Sequence, residues 1–200
     1  MLATERWARA MVEDRESVGK FLLGGVLMFF PVINFVVFGY LYRYARQVRR
    51  TAEYGLPAWE DWGGLFVDGL RLLGVVLVFC GVPVAAGWVL KALILKILGW
   101  APIGLLAELP LAVAIFAGPI LAFCALYRLQ RADEPQDLLR LDALVNMVRS
   151  AGFNLLAPGL IFLGLVIGFR SVYGLSLFAG SLFLIAELTT IFVSLERSRR

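Results

Sequence analysis

Glu60, Asp61 and Asp68 fall within one stretch, Leu56-Pro57-Ala58-Trp59-Glu60-Asp61-Trp62-Gly63-Gly64-Leu65-Phe66-Val67-Asp68-Gly69-Leu70, which Arg71 follows. Three carboxylates this close could bind a cation or relay a proton, given a further fixed ligand or a histidine. The chain has no histidine, and the stretch offers no further ligand. A structural reading of the same residues asks less of them. Pro57 ends whatever precedes it, and Asp61 is placed to cap a new helix. Trp62, Leu65, Phe66 and Leu70 then form the lipid-facing side of that helix. Trp59 and Trp62 belong at headgroup level, and Asp68 and Arg71, three apart, pair on the polar side.

A second group with chemical potential is Glu187, within Phe183-Leu-Ile-Ala-Glu-Leu-Thr-Thr-Ile-Phe192. Its place in an apolar run puts it roughly 10 Å below the nearer membrane interface at the helical rise. An ionised carboxylate there is costly, so it must face other helices, pair or hold a proton. Asn34 and Asn154, with Thr189 and Thr190, are polar groups at comparable depth. Together they define a candidate intramembrane polar site for a proton or cation, or a plain set of interhelical hydrogen bonds. No catalytic constellation emerges: there is no Gly-x-Ser-x-Gly elbow, no His-Glu-x-x-His and no phosphate loop. Neither an enzyme, a cofactor nor a metal is expected.

The elements that must carry these groups are legible in the composition. Of 200 residues, 60% are hydrophobic and only 17% charged, too few charges for the surface of a soluble domain of this length. Apolar runs cover about 20–44, 70–98, 101–128, 150–169 and 171–194. Each is long enough for a ~30 Å hydrocarbon core, which takes about 20 helical residues. Backbone groups within lipid must be satisfied inside their own segment, so the runs are helices. The expected fold is all-α, a polytopic transmembrane helix bundle over residues 20–200. An amphipathic interfacial segment, 1–19, precedes it, with Trp7, Met11 and Val18 on one side and Glu13, Asp14, Arg15 and Glu16 on the other. Cys80 and Cys124 lie in apolar runs and behave as small hydrophobes. The net charge of +4 flanks those runs, where it meets anionic lipid rather than nucleic acid.

Basic residues orient the bundle. Arg43, Arg46, Arg49, Arg50 and Arg71 follow the first run, whereas Lys91 and Lys96 alone follow the second. Arg128, Arg131, Arg140 and Arg149 follow the third, Arg170 the fourth, and Arg197, Arg199 and Arg200 end the chain. The alternation predicts a cytoplasmic C-terminus in a cell membrane. The N-terminal flank conflicts with it, since Arg6, Arg9, Arg15 and Lys20 are also basic. Two readings of the first run follow. It is either a single kinked span, or a re-entrant hairpin that turns near Pro31 and Asn34 and keeps both flanks on one side.

An internal echo is visible. Leu41-Tyr42-Arg43 closes the first run and Leu126-Tyr127-Arg128 the third; Asp68-Gly-Leu-Arg71 and Asn146-Met-Val-Arg149 enter the spans that follow. This suggests two helix–loop–helix halves and an extra last helix. The segments Gly39-Tyr40-Leu41-Tyr42-Arg43 and Pro57 to Leu70 also carry a resemblance. The chain resembles an uncharacterised prokaryotic family of integral membrane proteins, domain of unknown function 4013. The resemblance implies a bacterial or archaeal membrane protein with several helices and transfers no activity, ligand or catalytic residue.

The expected role is that of a non-enzymatic membrane module in contact with membrane lipids, a partner subunit or copies of itself in a homo-oligomer. The alternative is a small proton- or cation-linked transporter or channel that uses Glu187. An enzyme acting on lipids has only the Glu60, Asp61 and Asp68 cluster behind it.

Overall fold

A computed structural model describes residues 7, 15–98, 104–132 and 141–197. Among them are eight α-helices and no strand. In chain order these are α1 (Arg15–Leu27), α2 (Asn34–Thr51), α3 (Trp62–Val76), α4 (Val82–Leu98), α5 (Gly104–Ala132), α6 (Leu141–Ala151), α7 (Leu156–Gly168) and α8 (Tyr173–Arg197). Short π and 3-10 turns join α3 to α4 and α6 to α7, so each pair is a nearly continuous rod.

Four helices among the described residues are long and apolar enough to cross a membrane: Trp62–Ile97, Gly104–Arg131, Asp142–Gly168 and Arg170–Arg197. The mean hydropathy of their most apolar windows runs from 1.9 to 2.3. The protein is an integral membrane protein. The count of about five spanning runs is thereby refined, because the first run is not one helix. It breaks at Met28–Ile33, where Pro31 can supply no backbone N–H. Asn34 braces the turn; in the orientation that satisfies its amide, the nitrogen donates to Met28 O at 3.0 Å and Phe30 O at 3.3 Å.

The two arms return to the same end of the molecule. Trp59 Nε1, beyond the end of α2, donates to Lys20 O near the start of the run at 3.1 Å. Lys20 Nζ donates to Leu56 O at 3.4 Å. At the tip, the Phe29 ring meets Tyr173 edge-on with centroids 4.7 Å apart, and Tyr173 Oη donates to Phe29 O at 3.3 Å. With 13 residues, α1 is about 20 Å long and falls short of the ~30 Å core. The segment is a helical hairpin lying against α8.

Helix α8 is the hub. It packs against α1, α2, α5, α6 and α7, and Phe178, Leu182, Leu184, Ile185, Ala186 and Leu188 on it are buried. The rod α3–α4 lies outside this hub and presents Leu77, Val78, Trp88, Leu90 and Leu93, as a lipid-facing helix does. Pro83 explains the π turn that splits the rod. Its ring would collide with the carbonyl four residues back, and widening the helix over Leu77–Gly81, where Val82 N–H reaches Leu77 O, relieves the clash. Pro158 sits in the first turn of α7, where no N–H is needed. Helix α5 carries Pro110 and Pro119 without interruption. Lys91 Nζ and Glu108 Oε1 join α4 to α5 at 2.6 Å.

Most of the expected amphipathic segment 1–19 lies outside the described residues. Of those described, Trp7 turns toward the bundle, its ring edge-on to Phe183 at 5.7 Å, and Ser17 is buried.

The hairpin has a direct test. With Cys80 and Cys124 replaced by Ala, single cysteines at Glu16 and Glu53 should be modified by an impermeant thiol reagent from the same side of sealed vesicles. Labelling from opposite sides would mean that residues 20–44 cross.

Candidate functional site

The two segments that carry the family resemblance are distant in sequence and interlocked in space. Helices α2 and α3 run antiparallel and approach closely enough that their glycines admit no side chain. A Cβ on Gly39 would overlap the backbone carbonyl of Leu65, and one on Gly69 that of Phe35. Glycine is required at both places because each backbone packs directly on the other. Leu65 is fully buried in the seam, so it does not share the lipid-facing side expected for it. Trp62, Phe66 and Leu70 do remain about half exposed.

One turn beyond Gly39, Arg43 enters the same seam. Its guanidinium donates from Nη2 to Asp61 Oδ2 at 2.8 Å, from Nε to Asp68 Oδ2 at 3.2 Å and from Nη1 to Glu60 O at 3.0 Å. A planar fork of five N–H donors suits this three-way contact, which a lysine could not reproduce. Asp61 caps α3, accepting Gly64 N–H on Oδ1 at 3.1 Å from a left-handed backbone with φ 54°. The Arg43 hydrogen bond, followed by the Gly64 N–H, holds the Asp61 carboxyl below the usual carboxylate range. Asp68 is nearly buried and takes Arg71 Nη1 on its other oxygen at 3.0 Å.

Aromatic rings close the other side. Tyr40 is fully buried, stacks on Trp59 with centroids 3.9 Å apart, and donates its hydroxyl to Pro57 O at 2.9 Å. Trp59 stacks in turn near Trp62 at 6.1 Å and meets Phe178 of α8 at 6.5 Å. Pro57, Trp59, Asp61, Trp62, Phe66, Asp68 and Arg71 thus all gather around this joint. The capping by Asp61 and the Asp68–Arg71 pair follow the sequence expectation. Sequence reasoning gave Arg43 and Tyr40 no structural role; they entered only through the charge count, the Leu-Tyr-Arg echo and the family resemblance. A usable signal existed: Gly39 and Arg43 are four apart, as are Leu65 and Gly69, which is the spacing of two facing helix ridges.

The polar residues proposed for the membrane interior are scattered. Asn34 is committed to the hairpin turn, and Asn154 is exposed on the 3-10 segment before α7. Glu187 is half buried on α8, on the face between Phe183, which meets Trp7, and Thr190, whose hydroxyl lies 2.9 Å from Tyr54 Oη. The three thus lie on different elements, the hairpin turn, the 3-10 segment and α8. Among the described residues, no cluster of three or more Cys, Asp or Glu stands close enough to hold a metal ion.

Spanning-length apolar helices and a charged, aromatic joint at one end define a polytopic helical membrane protein. The family model described as "Protein of unknown function (DUF4013)" matches residues 22–184, and the chain belongs to that family. Comparison with curated proteins and with solved structures gives no match.

Replacing Arg43 by Gln should lower stability by about 1–3 kcal/mol, because Asp68 loses a partner in a nearly buried place. Chemical denaturation in detergent micelles, with Arg43→Lys recovering only part of the loss, would show it. The Asp61 link has a pH signature. Its folded pKa is depressed, so the stability it adds is present above the unfolded value of about 3.9 and is lost as pH falls through the lower folded value. Asp61→Asn should therefore flatten the acid limb of a stability-versus-pH curve below about pH 4; an unchanged limb would assign it to other carboxylates.

Proposed function

We propose that the protein is a non-enzymatic module of a prokaryotic cytoplasmic membrane, built to pack against lipid or a partner subunit. Its α2–α3 joint and C-terminus lie at the cytoplasmic face. The observation that carries this reading is how the joint uses its charges. Asp61 and Asp68, which might have formed an acid–base or cation site, are tied to Arg43, Arg71 and the first turn of α3. The polar chemistry is spent on holding helices together. What the joint turns outward is an aromatic and aliphatic stripe, Trp62, Phe66 and Leu70, beside charged groups. That combination is favoured where headgroups meet acyl chains. The basic residues gathered near the ends of α2, α5 and α8 favour the cytoplasmic placement of that end.

Trp62 is the residue to change. Trp62→Ala should leave helix content intact while lowering the melting temperature in lipid nanodiscs by about 2–4 °C, as expected for a loss near 1 kcal/mol at this size. Native mass spectrometry of the extracted protein should show fewer retained lipids or subunits. Unchanged melting together with unchanged recovery of both would defeat the reading.

A further inference from the structure

The hub helix carries two adjacent threonines with different surroundings. Thr190 donates its hydroxyl to Ala186 O at 2.7 Å and lies 2.9 Å from Tyr54 Oη. Bonding a carbonyl one turn back is how a helical hydroxyl satisfies itself, and Ser176 and Ser194 of α8 do so three residues back. Thr189 is different. It is buried, yet it makes no hydrogen bond among the described residues. Gln130 of α5 is equally buried; its amide nitrogen donates to Tyr42 O of α2 at 2.8 Å, while its amide oxygen receives no donor among those residues. Oxygens buried in this way cost stability unless something meets them. Both side chains line one cavity of about 10 Å³ where α2, α5 and α8 come together. Ala45, Phe123, Ile185 and Leu188 give it apolar walls, polar atoms complete them, and every described residue of the lining is buried.

We propose that this cavity seats one structural water molecule, which donates to Gln130 Oε1 and accepts from the Thr189 hydroxyl. Size selects the occupant, because a single water needs roughly 10–15 Å³ of cavity and a solute or hydrated ion needs far more. A bare cation would require several oxygen ligands and a compensating charge. The described lining offers two such side-chain oxygens besides the Tyr127 phenol, and no carboxylate. A buried water is suited to joining polar groups that are too far apart to bond directly. With it, Gln130 holds α2 through its nitrogen and α8 through its oxygen, so one side chain ties three helices. Between helices in lipid, directed hydrogen bonds of this kind help to set the packing. The site lies inside the bundle and does not depend on what packs against its outside.

A crystal structure of the full chain at a resolution that shows ordered waters should place one peak within about 3 Å of both Gln130 Oε1 and Thr189 Oγ1. Thr189→Val keeps the shape of the side chain and removes its hydroxyl. It should abolish the peak and raise the unfolding constant in neutral detergent several-fold, up to about tenfold, with Thr189→Ser recovering most of the loss. Combined with Gln130→Leu, it should cost less than the product of the two single losses, since both act through one water. If Gln130→Leu does not fold, the peak in the wild type and in Thr189→Ser, and its loss in Thr189→Val, decide the matter. No peak, a Thr189 hydroxyl turned onto Ile185 O, or strictly multiplicative losses would each overturn the proposal. So would a melting temperature that is higher in sodium chloride than in choline chloride of equal ionic strength and loses that difference in Thr189→Val, since the occupant would then be a cation. The module reading stands or falls separately, on Trp62→Ala.

Discussion

Arg43 is the constraint around which one end of this molecule is organised. Its guanidinium reaches the cap of α3, a nearly buried carboxylate one helical turn on and the backbone of the loop between α2 and α3. Those contacts fix where α3 begins and how it lies against α2. They require the two backbones to be close, which is why Gly39 and Gly69 cannot carry side chains. The loop is thereby folded back so that Trp59 covers Tyr40 and reaches Lys20. The arms of the hairpin are tied at their open end by the same loop that the arginine holds. From Trp59 the packing continues to Phe178 in the hub helix. One cation thus connects the hairpin, the first spanning rod and the centre of the bundle.

The location explains why such a joint is polar. Lipid tails are as apolar as the side chains facing them, so burial against lipid gives helices little reason to prefer each other over the bilayer. Close backbone packing and directed hydrogen bonds must set their register instead. Near the interface, charged groups keep contact with water, and the cost of desolvation stays moderate. Asp61 remains largely exposed while Asp68 is nearly buried. The pair therefore divides the work, the outer carboxylate capping a helix and the inner one locking the seam.

Much of this was legible in the sequence, for physical reasons that differ by residue. Long apolar runs announce helices because lipid leaves the backbone no other option. Asp61 announces a cap and Asp68 with Arg71 a pair because both are local effects, set by spacing along one helix. The turn at Pro31 and Asn34 was visible as one of two readings, but which of them holds depends on Trp59 finding Lys20, 39 positions away. Arg43 was hidden for the same reason: nothing near it in sequence is its partner. Leu65 was assigned to the lipid face by helical periodicity, and the close approach at Gly39 turned that face into a seam. The separation of Glu187, Asn34 and Asn154 is likewise tertiary: the hairpin carries Asn34 to its tip, where Phe29 meets Tyr173 at the start of α8, and Asn154 is exposed before α7.

The sequence echo places the same short run of residues in two helix–loop–helix segments. Both carry Leu-Tyr-Arg inside a helix, one or two turns before its end, and lead through a polar stretch of sequence into the next rod. Where the returning helix brings an aspartate, the arginine finds its counter-charge inside the protein and the joint closes. That closure fixes α3 against α2 through the chain's own charges, so the register of the two helices is set by a few directed contacts rather than by burial against lipid.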